Sequence, residues 1–424
     1  MKIRFAGVAL IGALALAQEP SPVPGLISKI DEGKSKESFR ALMALAALSG
    51  EHRKEAEAAA AKLPEFYREA LLSEFRSRDL LKENYGRVHR VSIRAEDADP
   101  ADLLENMARK TGLDLSPGYA FRRTDRAKLS MAVEDVSPME ALAEFCALAK
   151  VQPQYWGYGP IVLEQLSWFC EPFGAGHFAV LGKMVTVRER VDFSAPPERT
   201  ARLEFDLVWH PSTRIATASK DVRLVEALTD TGIKLEKSTR KLVTAIREAD
   251  RWRAYVNRNL NRELELYLKL PDAGPSKLSR LRFVVSAMVA GRERTFNVRD
   301  EKDVAKTKAG DDEFELTMSE PKSVEPDSRR FECFVKPLKM KPADLLALPL
   351  RFEVRYPRGG EGRTSMVPRL QGDGVVYDVY WYPLGYLDPA GRMAGQDPES
   401  VKVTIPLDLI ERPVYVEMRD VPLR

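Results

Sequence analysis

Residues 95–104 read AEDADPADLL, and residues 133–142 read VEDVSPMEAL. The same order of types appears twice: two acids, a small residue, a capping residue, proline, then an acid two places further on. In the first copy Asp99 precedes Pro100 and Asp102; in the second Ser137 precedes Pro138 and Glu140. Asp and Ser satisfy free amides at a helix start, proline suits the first helical position, and an acid at the third complements the positive helix end. The pattern predicts two helix entries. Apolar residues then fall at helical spacing, at Leu103, Leu104, Met107 and Ala108, and at Ala141, Leu142, Phe145 and Cys146. Ahead of each cap, VHRVSIRA (88–95) and KLSMAV (128–133) alternate as strands do. Glu96-Asp97 and Glu134-Asp135 sit at the strand ends, where adjacent side chains point to opposite faces and do not converge on a metal or a substrate. With TGLDLSP and VQPQYWGYGPIVLE following the helices, the block reads strand, helix, strand, twice.

Residues 88–165, through VSIRAEDADPADLLENMARKTGLDL and LSMAVEDVSPMEALAEFCALAKVQPQYWGYGPIVLE, resemble the short N-terminal domain shared by secretins and TonB-dependent receptors. The resemblance implies a small α/β module (STN-like, 88–167) that makes signalling or assembly contacts with proteins in the periplasm and carries no catalytic residues. No secretin core and no receptor barrel follows it, so no pore or transport role comes with it.

The rest of the chain sets the context. Its 424 residues, 44% hydrophobic and 30% charged, exceed one ordinary core and predict several domains. Lys and Arg total 66 against 63 Asp and Glu, a balance without the basic excess that nucleic-acid binding draws on. Lys2 and Arg4, an apolar run from Phe5 to Leu16 and an Ala15-Leu16-Ala17 site read as a signal peptide, residues 1–17. Its removal takes the net charge from +3 to about +1. No later apolar stretch is long enough to span a bilayer, so a periplasmic or secreted product is expected. Cys146, Cys170 and Cys333 are odd in number and read mainly as small core residues, with a Cys146–Cys170 bridge as the alternative.

Residues 26–87 are helical in pattern, with an Ala-rich stretch and an amphipathic one after Pro64. From about residue 168 the period becomes two, in RLEFDLVW, RELELYLKL, LRFVVSAMV, LRFEVRY, VKVTIPL and PVYVEMRD. LRFVVSAMVAGRERTFNVRD (281–300) also aligns without gaps to VKVTIPLDLIERPVYVEMRD (401–420). This predicts a multidomain α+β protein with tandem β-sandwich-like domains at 168–300 and 313–424, joined by a charged linker at 301–312; one large sandwich is the alternative. The β half resembles secreted bacterial proteins that pair a secretin-type short domain with β-domains of no assigned activity, a resemblance of architecture alone.

Chemical motifs are sparse. His52, His89, His177 and His210 form no HExxH and no Cys/His cluster and read as surface or turn residues; no metal is expected. SKIDEGKS lacks the first glycine of a phosphate loop, GAGHF lacks the third glycine of a dinucleotide fingerprint, and no G-x-S-x-G elbow is present. No catalytic residue or cofactor is therefore assigned. VVYDVYWYPLGYLDPAG (375–391) is the most unusual stretch. Alternation places Tyr380 and Tyr382 on one face and Val379 and Trp381 on the other, so both faces carry large apolar groups. Either a loop or a neighbouring domain covers one face, or Tyr380, Trp381, Tyr382 and Tyr386 offer a binding surface; Tyr155, Trp156 and Tyr158 pose the same question. The leading expectation is a non-enzymatic envelope protein with protein partners, the alternative a glycan-binding, or less readily glycan-active, protein using its β half. N-terminal sequencing of protein recovered outside the cytoplasm should begin at Gln18; an uncleaved cytoplasmic product overturns the export reading.

Overall fold

The computed structural model describes residues 21–82, 89–117, 127–155, 161–165, 170–192, 195–238, 261–271, 274–300, 302, 308–325, 328–355, 362–383 and 398–423. The expected signal segment, 1–17, lies outside them. The chain is mixed α+β and its sheets are mostly antiparallel.

Four helices come first: α1 (Val23–Ile27), α2 (Ser35–Ala46), α3 (Gly50–Ala59) and α4 (Glu65–Leu81). The duplicated block follows as β1 (Val91–Ala98), α5 (Pro100–Thr111), β2 (Leu115–Pro117), β3 (Leu129–Val136), α6 (Pro138–Ala149), β4 (Val151–Tyr155) and β5 (Ile161–Gln165). Both caps are made: the Asp99 carboxylate accepts from Ala101 N–H at 2.8 Å and Ser137 Oγ from Glu140 N–H at 3.2 Å. β1 and β3 pair with each other, antiparallel, so the two copies face one another across a local two-fold at Arg94↔Ala132. The elements after the helices do not join this ladder; β2 and β4 flank β5 in a separate three-stranded sheet.

This pairing explains the second acid of each copy. Asp97 and Asp135 have φ of 47° and 50°, the left-handed region that a short polar side chain tolerates better than most. Each lies where the ladder shifts register. Asp97 N–H donates to Ser130 Oγ at 3.1 Å, and Asp135 N–H donates to Ser92 Oγ at 3.0 Å, so each copy's serine holds the other copy's bulge.

The β half consists of β6 (Phe173–Ala175), β7 (Phe178–Asp192), β8 (Ala195–Trp209), β9 (Ile215–Thr229), β10 (Asn261–Leu270), β11 (Lys277–Arg299), β12 (Lys308–Gly310), β13 (Phe314–Met318), β14 (Lys322–Glu325), β15 (Ser328–Pro337), the short α7 (Pro342–Leu346), β16 (Arg351–Arg355), β17 (Gly362–Gln371), β18 (Gly374–Pro383) and β19 (Ser400–Pro422). An eight-stranded sheet runs β16-β19-β11-β9-β10-β8-β7-β6, and a six-stranded one holds β12-β13-β15-β18-β17 with β14 on β15. Two β units are thus present, but their connectivity differs from a tandem pair. The aligned segments 281–300 and 401–420 are the two arms of one antiparallel ladder, from Lys277↔Pro422 to Arg299↔Val401. The first sheet takes β16 and β19 from beyond the expected linker, and residues 308–310 of that linker form a strand.

Three cores result. The first packs α1–α4 onto one face of the eight-stranded sheet, with Phe39, Leu42, Phe66, Tyr67 and Leu71 against Phe205, Leu266, Phe283 and Val416. This part is helix on sheet rather than sheet on sheet. The second joins the six-stranded sheet to the far end of the long ladder through Phe296, Val298, Phe331, Tyr377 and Val403. The third is the duplicated module, whose Leu104, Met107, Leu142 and Phe145 pack together and extend onto Ala179, Leu181 and Val208 of the large sheet. There α6 comes so close that a Cβ on Gly174 would lie 2.7 Å from Glu140 Cα and 2.8 Å from the Met139 carbonyl oxygen.

Because each cap satisfies a helix amide, Asp99→Ala and Ser137→Ala should each cost about 0.5–2 kcal/mol, while Glu96→Ala and Glu134→Ala, at exposed positions, should change little. Denaturant midpoints of the full chain check the ranking, and the reverse order would revive a carboxylate site.

Candidate functional site

The aromatic stretch lies on β18, between β15 and β17. Val375, Tyr377 and Val379 face inward and are buried in the second core, with the Tyr377 ring 5.7 Å from Phe352. Burial drives the Tyr377 hydroxyl pKa well up. The opposite face carries Val376, Asp378 and Tyr380. Tyr380 is half-buried, and the Arg330 guanidinium sits 5.7 Å from its ring centroid. Asp378 holds Arg330 at 2.5 Å and Arg369 at 3.4 Å, and Glu332 bridges the same two arginines at 3.0 and 3.2 Å. Cross-strand charge alternation therefore lays an arginine over the aromatic instead of leaving a bare ring.

Trp381 and Tyr382 continue β18, opposite Arg329 and Arg363 respectively; their side chains, like that of Tyr155 on β4, are outside the described residues. Trp156, Tyr158 and Tyr386 are outside them altogether. The two aromatic groups belong to different sheets, since β4 is in the three-stranded one and β18 in the six-stranded one.

The module offers a second surface. β1 and β3 form a two-stranded sheet by themselves among the described residues. Its outer face, Ser92, Arg94, Ala132 and Glu134, is exposed, while Val91, Ile93, Met131 and Val133 face the core. A two-stranded ladder leaves one hydrogen-bonding edge of each strand without a strand partner, which is the geometry that strand addition uses.

His177 and His210 do lie in turns, but both are buried, whereas His52 and His89 are exposed. No local signal reveals this, because the cover comes from α4, α5 and β19, distant in sequence. The cysteines are buried free thiols; burial pushes Cys170 and Cys333 up to about 12, and Cys146 further.

Carboxylates gather on the outer face of β8 and β10. Lys183 pairs with Glu263 at 2.8 Å, and Arg202 with Glu265 at 2.7 Å and Glu204 at 3.0 Å. Asp206 beside them is pushed up to about 6, first by burial, with Glu263 and Glu204 adding to the shift against Lys183. This is a charge-matched lattice, and no group of three metal-binding side chains converges among the described residues. No helix among them is long and apolar enough to cross a membrane.

Comparison with known protein families, curated proteins and solved structures returned no match.

Tyr377→Ala removes a fully buried ring and should cost about 3–5 kcal/mol. Tyr380→Ala removes a half-exposed ring and one arginine contact and should cost about 1 kcal/mol. Denaturant midpoints measured separately distinguish the two faces; equal large losses would leave no accessible aromatic surface at Tyr380.

Proposed function

We propose that this is an exported, non-enzymatic bacterial envelope protein that makes protein contacts through an STN-like module, with the β units as its scaffold. The observation that carries the reading is the β1–β3 ladder: a duplicated, well-capped unit whose outer edges pair with no further strand among the described residues and whose exposed face is polar, anchored on a large sheet by its second helix. Backbone edges give affinity to an added strand, and flanking side chains such as Arg94 and Glu134 give it register. The family resemblance points the same way, toward protein contacts.

The alternative is glycan binding by the β half, and Tyr380 with its arginine–carboxylate surround is the surface that favours it. Aromatic rings and planar charged groups together bind sugars through stacking and bidentate hydrogen bonds.

Capture from envelope extract on the immobilised full chain separates the two. The double variant Arg94→Glu, Glu134→Arg should keep the wild-type melting temperature and lose discrete protein partners. Retention on polysaccharide that is abolished by Tyr380→Ala, with no protein lost from the double variant, would replace the leading reading with the alternative.

A further inference from the structure

The eight-stranded sheet, the helical layer and the α/β module meet at two buried imidazoles. His177 occupies the turn between β6 and β7, where Gly176 takes a φ of 55°. Its carbonyl accepts the His210 N–H at 2.9 Å, and its Nδ1 lies 3.0 Å from Thr213 Oγ1, so it clips together the β6–β7 and β8–β9 turns. His210 carries the contact onward. Its Nε2 is 3.4 Å from the carbonyl oxygen of Thr111, the last residue of α5, and its ring stands edge-on to His89 at 6.0 Å. His89 in turn has Nε2 3.1 Å from the Lys110 carbonyl oxygen. The α5 end of the module is thus joined to the sheet through imidazoles.

The hydrogen bonds define the protonation state. Ser212 N–H donates to His210 Nδ1 at 3.2 Å, with Ser212 Oγ 2.8 Å from the same nitrogen. Nδ1 is therefore the acceptor, and Nε2 carries the proton that reaches Thr111. The serine hydroxyl can turn around when Nδ1 is protonated; the backbone N–H cannot, and that bond is lost.

The surrounding charges oppose a proton as well. His177 is faced by Arg412 of β19, Arg78 of α4 and the ring of His210, and the acid on that side, Glu74 of α4, is already bound to Arg412 at 3.0 Å. Arg78 in turn feels Arg53, which is itself paired with Glu57 and Asp79, and Arg90. His210 is faced by His89, and Lys110 of α5 sends its ammonium away to the Ser92 carbonyl oxygen at 2.7 Å.

We propose that His177 and His210 form an acid-sensitive latch, and that protonating them loosens the α5 end of the module from the eight-stranded sheet. Geometry and charge agree with the titration direction: burial, then neighbouring cations, hold His177 well below 6.5, and burial also lowers His210 despite its bond to Thr111. For a group whose folded pKa is depressed, the contribution to docking is present above about pH 6.5 and is lost as pH falls through the folded value. Buried carboxylates titrate the other way. Asp206 and Glu140, raised by burial, favour the folded form on acidification, and carboxylates that arginines hold low, such as Glu32 and Asp79, act only in stronger acid, so loosening between about pH 7.5 and about pH 5.5 is a histidine signature. The latch does not depend on what the module binds.

Hydrogen exchange of the full chain, corrected for intrinsic rates and compared at about pH 7.5 and about pH 5.5, tests it. Amides of the last turn of α5 and of residues 91–93 should lose protection by about tenfold per pH unit for each proton taken up, while α6 and β8 hold theirs. In the double variant His177→Gln, His210→Asn the α5 end should exchange at a pH-independent protection, and each single variant should keep the slope of the one remaining proton. Should either variant fail to fold, NMR titration of the wild-type imidazoles decides: both should titrate below 6.5, in step with the loss of protection. Imidazoles that titrate at 6.5 or above with α5 still protected, or an acid response that survives undiminished in the double variant, overturns the latch.

Discussion

The long antiparallel ladder between residues 277–299 and 401–422 is the constraint on which the rest of the molecule depends. Alternate residues of a strand point to opposite faces, and on this ladder the buried parity changes along its length. Phe283, Val285, Ala287 and Val289 on β11, with Val414 and Val416 on β19, face the helical layer; Phe296 and Val298, with Val403 and Ile405, face the six-stranded sheet. An odd-to-even switch without a register slip puts the two cores on opposite faces of one ribbon. The switch falls where Gly291 meets Asp408, whose φ is 52°; a Cβ at Gly291 would sit 2.9 Å from the Asp408 carbonyl oxygen. Close backbone approach there needs a residue without a side chain. The two β units are therefore rigidly coupled through a shared pair of strands.

The helical layer is tied to this ladder by charge as well as by apolar contact. Glu417, fully buried, accepts from Arg282 Nε at 3.0 Å and from Tyr67 Oη at 2.8 Å, and Arg282 lies 4.9 Å from the Phe66 ring centroid. Burial and Glu417 together push the Tyr67 hydroxyl up to about 12, so it stays a donor at any ordinary pH. A second tie joins Arg412 to Glu74, with Arg412 lying 4.9 Å from the Phe178 ring centroid. Such pairs add little over apolar substitutes, yet losing one partner leaves a charge stranded, at a cost of about 3–5 kcal/mol. They fix which helix face meets which strand more than they raise stability.

Legibility in the sequence follows the range of each interaction. Caps and helix faces are local, and Asp99, Ser137, Leu104 and Phe145 could be read directly. Strand existence was legible too, from the alternation at 264–270 and 401–407. Pairing was not, because alternation is silent about partners. The similarity of 281–300 to 401–420 suggested equivalent strands in two domains; two antiparallel arms of one long ladder bear similar alternation because each crosses both cores, in opposite order. For the same reason the acid pairs looked like strand-end decoration, whereas Asp97 and Asp135 are there for their backbone. Of the aromatic site, the inward face was legible as alternation. Arg330 over Tyr380 was not, since the arginine comes from β15 and its position is set by Asp378 across the ladder.

Duplication of the β-α unit has led its two copies to different ends. The local code is nearly identical, but α6 is wrapped on both sides: Met139, Ala141, Leu142, Ala143 and Phe145 are all buried, Glu140 is bonded to Arg40 of α2, and Lys36 reaches Glu144 at 3.1 Å. In α5 the outward positions Asp102, Glu105, Arg109 and Lys110 stay exposed, and its Thr111 carbonyl meets His210 of the sheet. One copy is thus spent on docking the module to the scaffold. The other keeps a free helix face beside β1, and its only described bond to the sheet runs through an imidazole. Of the two helix faces, only that of α5 stays exposed, because α6 is already buried against the scaffold, while β1 and β3 both contribute to the exposed polar face of the ladder.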